Sequence, residues 1–302
     1  MSGIGFNPVR IDKGHPTSVI IGSLGELLRI DPEGNQLGGI SVPFPSQPTF
    51  GTVSSGTWIG TWVDRDLRKA CMGATPLEGE LFDGKGRDFL RNSQAPASDA
   101  LPGSYTWSRD IEGEPMGISS NDGKVFFAIL NTGIYKIDGE ATEMWRAPYP
   151  QWPDLQDFSR VDSIAELVHT RDGIVIWSES GGVSLISEDD GTTLMSRTLS
   201  FPERVIGVRH DDRAGWMIMM SGRYAGIMSS LDSEPEVVKL PGPVMDSIGT
   251  SEGNWIWTGW RHDGRLEDGV IEVRNREDIG ISILGSRVLT NSGDWSDHAF
   301  TE

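Results

Sequence analysis

The chain has 302 residues, with 26 Lys and Arg against 44 Asp and Glu and a formal net charge of −18. Its 11 Trp and 10 Phe suit a sizeable core, which excludes a disordered chain, and the single Cys71 excludes a disulfide scaffold. The acidity argues against a nucleic-acid binder, which needs a positive surface. Met1 to Asp12 hold no apolar run of signal-peptide length, and no stretch has the ~18 apolar residues of a membrane span. A cytoplasmic protein with no membrane association is expected. The surplus acid reads as a solubilising surface, and it also suits a salty habitat or a basic partner.

In chain order, six segments repeat one pattern: a proline-marked opening, a short strand, a turn with Gly or Pro, then an apolar strand. The apolar strands read SVIIGS from Ser18, TWIGTW from Thr57, KVFFAI from Lys124, GIVIWS from Gly173, GWMIMM from Gly215 and NWIWTG from Asn254. Their markers Val19, Trp58, Val125, Ile174, Trp216 and Trp255 are spaced by 39, 67, 49, 42 and 39 residues, so one step is a repeat plus an insertion. The turns before them read SSG near Gly56, NDG near Gly123, RDG near Gly173, DRAG near Gly215 and SEG near Gly253, the chemistry of tight hairpins. Pro8, Pro48, Pro115, Pro202 and Pro243 stand just outside a first strand, where a missing N–H breaks no ladder. The fourth unit has Arg160-Val161 at that place. GELLRID, GIYKID, GVSLISE and GVIEVRN read as third strands; QLGGISV, EMWRAP, TTLMSRTL and ISILGS read as fourth strands. No window keeps a helical period.

Four short antiparallel strands in ~40–45 residues is the period of a β-propeller blade. From Pro8 to Ser286 the chain resembles the broad β-propeller superfamily, in the loose WD40/YVTN-like sense, with no Trp-Asp pair closing the units and no single family indicated. The resemblance implies an all-β fold: one propeller of four-stranded antiparallel blades over residues 1–302. Six blades are readable. RVLTNSGDWSDHAF copies the start of another unit, so residues 287–302 form either a C-terminal strap on six blades or part of an incomplete seventh.

Departures from a repeat are where function is sought. The largest is an inserted loop at residues 73–104 between a third and a fourth strand, with Leu81, Phe82, Phe89 and Leu90 as apolar anchors. The second is WRAPYPQWPDLQDFSR, Trp145 to Arg160, where Tyr149, Trp152 and Phe158 stand among prolines. The third is the charged loop WRHDGRLEDG, Trp260 to Gly269, with WVDRDLRK, Trp62 to Lys69, as its counterpart in the second unit. Loops joining second to third strands open at the same end of a blade as the loops between blades. The aromatic segment and both charged loops are therefore expected on one face, and the insertion on the other.

Trp58, Trp177, Trp216, Trp255 and Trp257 lie in second strands and read as packing residues. Trp62, Trp152 and Trp260 lie at strand ends or in loops and read as contact residues. No zinc-protease, phosphate-loop, nucleophile-elbow or calcium-loop pattern is present. His169, His210 and Asp211 are the weak metal candidates, because the two histidines end first strands of adjacent units. Glu166, Asp246 and Asp294 are further carboxylates expected near a propeller's channel.

These residues predict a noncatalytic scaffold that presents loops to a protein partner as part of a complex, with no cofactor. The partner-binding residues expected are Trp62, Arg65, Tyr149, Trp152, Trp260, Arg261, His262 and Asp263. Two other readings stay open: a metal-dependent hydrolase or lactonase using the central channel, and a propeller that binds a small ligand such as a carbohydrate.

Overall fold

A computed structural model describes residues 3–155 and 162–301; Phe158 and Arg160-Val161 lie outside the described residues. Among the described residues, 26 strands form seven consecutive antiparallel sheets in which neighbours in sequence pair. The first sheet holds Pro8–Asp12, Ser18–Gly22 and Leu27–Ile30. The second holds Phe50–Ser54, Thr57–Asp64, Lys69–Pro76 and Trp107–Asp110. The third holds Pro115–Asn121, Lys124–Ile129, Gly133–Ile137 and Glu143–Ala147, and the fourth Ile164–Thr170, Gly173–Ser178, Gly182–Ile186 and Thr193–Thr198. The fifth holds Val205–Asp211, Gly215–Met220, Tyr224–Met228 and Glu236–Lys239, and the sixth Val244–Gly249, Trp255–Gly259, His262–Glu267 and Val270–Asn275. The seventh has Gly280–Leu284, Arg287–Thr290 and Trp295–Asp297. No helix among the described residues is long and apolar enough to cross a membrane.

The six apolar runs read from the sequence are all second strands. GIVIWS and GWMIMM are buried at every position, because a second strand has a paired strand on each side and neighbouring sheets over its faces. Two of the hairpins that lead into them show why their turns are glycine-rich. Ser55-Gly56 and Asp122-Gly123 each put two successive residues at positive φ, the tight-turn geometry that follows strand twist. In six of the seven sheets the first strand carries a register shift near its start, as between Ile164 and Glu166 or Val244 and Asp246. The shifts interrupt the in–out alternation of burial along these strands.

Three strand readings change. ISILGS is the first strand of the seventh sheet, not the fourth strand of the sixth, and this gives the seven-sheet count. GVIEVRN is a fourth strand, because most of the charged segment taken as a loop is itself the third strand, His262–Glu267. Its charges are tolerated because they are paired: Arg265 faces Glu272 across the strands at 3.2 Å, and Asp263 meets Arg276. QLGGISV touches the first sheet only through isolated bridges at Gln36 and Ser41, with Gly38 at φ +115° between them.

The chain divides into two compact units, Phe6–Pro150 with Asp189–Thr192, and Met1–Gly5 with Gln151–Glu188 and Thr193–Glu302. In the first unit one core gathers Val19, Trp58, Trp62, Cys71 and Leu101, and another Ile59, Met72, Val125 and Phe127. Cys71 is fully buried, and burial pushes its thiol pKa far up. In the second unit Trp177 and Trp216 pack between the fourth and fifth sheets, and Trp255 and Trp257 between the fifth and sixth. All five tryptophans read as packing residues are buried.

The insertion leaves the second sheet at the end expected, where Leu77 N–H donates to Gly56 O. It does not stay there. Asp83 accepts from Val42 N–H at 2.7 Å, and the short helix Arg87–Asn92 reaches the opposite end of the sheet, where Arg87 meets Asp64 and Asp66. Leu90 is buried and Leu81 and Phe89 pack on the core, while Phe82 remains 52% exposed. Three of the four anchors therefore hold the insertion to its own unit.

Candidate partner-binding site

Two turns occupy the same place in their sheets, between second and third strands: Arg65–Arg68 in the second sheet and Trp260-Arg261 in the sixth. In each sheet this end also carries the connection to the next sheet. In the sixth, Arg276 N–H donates to Arg261 O at 3.0 Å. In the second, Arg65 reaches Glu114 through Nε at 3.1 Å and through Nη2.

The sixth-sheet turn is a projecting indole on a rigid base. Trp260 is 55% exposed. Its backbone N–H donates to Pro243 O at 3.0 Å, and its backbone carbonyl accepts from Nδ1–H of His262 at 3.1 Å. Arg261 holds φ +60° and has an exposed side chain. Below the turn, His262 and Asp263 are fully inside the protein. Burial lowers the His262 pKa, so the ring is neutral and its Nδ1–H is free to hold the Trp260 carbonyl. Asp263 accepts from Thr258 Oγ1–H at 2.8 Å and from Ala299 N–H at 3.0 Å, and pairs with Arg276. His298 donates from Nε2 to Trp257 O at 3.0 Å and accepts at Nδ1 from Phe300 N–H at 3.3 Å, which fixes its neutral tautomer.

The second-sheet turn is held by charge instead. Asp64 accepts from Leu67 N–H at 3.0 Å, and the hydrogen bond from Arg87 holds its carboxyl below the usual range. Arg68 stands at φ +53°. Between this turn and residues 111–114 lies a cleft of about 360 Å³. Trp62, two residues before Asp64, is fully buried, with its indole N–H on Ser46 Oγ at 2.7 Å.

The structure thus places the predicted partner residues in two groups. Arg65, Trp260 and Arg261 are exposed and Tyr149 is half-buried. Trp62, Trp152, His262 and Asp263 are buried. Trp152 folds back on the third strand of the fourth sheet, where a Cβ on Gly182 would stand 2.3 Å from its ring. Arg68 and Lys69, which the sequence reading did not single out, line the cleft at the second-sheet turn; the signal available was the cation-rich turn DRDLRK itself.

The metal candidates serve other ends. His169 bonds Glu188 at 2.8 Å, His210 packs on Trp216 with ring centres 4.4 Å apart, and Asp211 caps the amides of Arg213 and Ala214. Glu166 and Asp246 both hold Arg209, at 2.9 and 3.2 Å, and Asp246 also accepts from Ile283 N–H. Among the described residues no three His, Cys, Asp or Glu side chains converge as a metal site.

No protein-family model and no curated protein matches the sequence. Solved structures do match. The WD40 β-propeller domain of Doa1 aligns over 98% of both chains, with a TM-score of 0.62 and 10% identity. The computationally designed Ika8 protein aligns over 98% of this chain and 96% of its own, with a TM-score of 0.61 and 10% identity. The β-propeller domain of Cps50 (Swd1) from Myceliophteria thermophila aligns over 96% and 94%, with a TM-score of 0.60 and 11% identity. The fold is a seven-bladed β-propeller. Each of the seven sheets is one blade, four-stranded in the second to sixth and three-stranded in the first and seventh. The likeness concerns the fold, and propellers host many unrelated activities.

Proposed function

We propose that this propeller is a noncatalytic scaffold that binds a protein partner, with Trp260 as the contact of largest energy. The observation that carries this reading is the exposed Trp260 indole on a turn whose backbone is tied at three points. A large ring held ready loses little entropy on binding, and tryptophan is the residue most enriched among interface hot spots. Arg261 lies beside it and supplies orientation; the exposed Arg65 and the half-buried Tyr149, in the other unit, are separate candidate contacts. His262 and Asp263 support Trp260 from within, while Trp62 and Trp152 are buried packing residues elsewhere. WD40 propeller domains among the structural neighbours fit the same kind of role.

The test is affinity purification of the full chain beside Trp260→Ala, with quantitative mass spectrometry. Capture of a defined partner that falls about tenfold or more in the variant, the loss of a hot spot, supports the reading if thermal midpoints agree. Identical capture by both proteins overturns it.

A further inference from the structure

In a chain of net charge −18, most arginines near the second blade meet a carboxylate. Arg65 pairs with Glu114, and Arg87 with Asp64 and Asp66. Two cations at the same turn do not. The Lys69 ammonium reaches only the backbone carbonyls of Leu90 and Ala95, and the Arg68 guanidinium has no hydrogen-bond partner among the described residues. Both line the cleft of about 360 Å³, whose apolar wall is Val63, Ala70 and Ile111. The Arg65–Glu114 pair joins the turn to the opposite wall of the cleft.

We propose that this cleft takes a carboxylate side chain from an acidic segment of the protein partner, with Arg68 as its main ligand and Lys69 as the second cation. The inference rests on the scaffold reading above. A guanidinium offers a planar fork that matches a carboxylate in two parallel hydrogen bonds. The apolar wall suits the methylenes of a glutamate. Asp64 and Glu114 also line the cleft, and they repel a dianionic phosphate more than a singly charged carboxylate. Arg68 stands at φ +53°, a left-handed backbone conformation that glycine adopts without strain. The same fact supplies a clean variant, because Arg68→Gly removes the charge and relaxes the turn.

The experiment follows backbone amide shifts of the ¹⁵N-labelled full chain. The probes are the peptide acetyl-Ala-Glu-Leu-Glu-Ala-amide, its glutamine analogue, free glutarate and inorganic phosphate. The glutamate peptide should give saturable shifts at Arg68, Lys69 and Gly113, and the glutamine peptide none. Affinity should fall about tenfold in Arg68→Gly, the loss of one charge-assisted contact, and less in Lys69→Gln. The proposal is overturned by absent shifts with the glutamate peptide, by shifts undiminished in Arg68→Gly, or by equal response to the glutamine peptide. It is also overturned if phosphate or glutarate occupies the cleft and the peptide does not. Trp260→Ala should bind the glutamate peptide as the unmodified chain does, so failure at Trp260 and failure at the cleft are separate results.

Discussion

The turns of the second and sixth blades solve one problem in two ways. Both must hold an exposed connection rigid between a buried second strand and a third. In the second blade the restraint is ionic and partly in water: Arg65 with Glu114, and Arg87 with Asp64 and Asp66. In the sixth it is buried and hydrogen-bonded, through His262, Asp263, Arg276 and Thr258. The two tryptophans differ in place: Trp62 lies within the strand Thr57–Asp64 and is buried in the core, whereas Trp260 lies in the turn itself and is exposed.

The sharpest way to break this contrast is to remove a brace. Asp263→Ala leaves Arg276 charged and buried, and should cost about 3–5 kcal/mol in urea unfolding, the usual effect of breaking a buried pair by one partner. A loss below about 1 kcal/mol, the range of exposed pairs, would put the two braces in one class. Trp62→Ala should likewise cost about 3–5 kcal/mol as a large-to-small core change. Trp260→Ala should stay within about 0.5 kcal/mol of the parent. Equal losses from the two tryptophans would erase the distinction.

A smaller effect separates the braces by pH. Burial lowers the pKa of His298, His262 and His210 below the ordinary value of about 6.5. The unfolded chain therefore binds protons before the folded one as pH falls. The stability these neutral rings contribute is complete above about pH 6.5 and drains below it, toward their lower folded values. Urea midpoints should fall between about pH 7.5 and pH 5.5, and His298→Gln should flatten that slope. An unchanged slope would show that His298 does not carry this pH dependence.

Much of the fold is legible in the sequence, because second strands are continuous apolar runs bounded by turn glycines. Legibility fails where pairing hides charge. HDGRLE looks like a solvated loop until Arg276, Glu272 and Thr258 are seen to receive it, and losing that strand moved ISILGS into the wrong blade. The site is less legible for a related reason. Trp62 and Trp260 both sit by a charged turn, and composition does not distinguish a ring on the core face of a long strand from one in the turn itself. Arg68 and Lys69 look like any exposed cations until the neutralising partners of their neighbours are known.

Cys71 gives the molecule a practical property. It is the single thiol of 302 residues, fully buried in the second blade and with its thiolate disfavoured. A thiol reagent will not find it in the native protein, so its rate of reaction clocks the opening of that blade. A cysteine introduced at an exposed turn position such as Glu252 would take a fluorophore at once. One site for a dye and one silent reporter of opening then coexist, with no native residue to remove first.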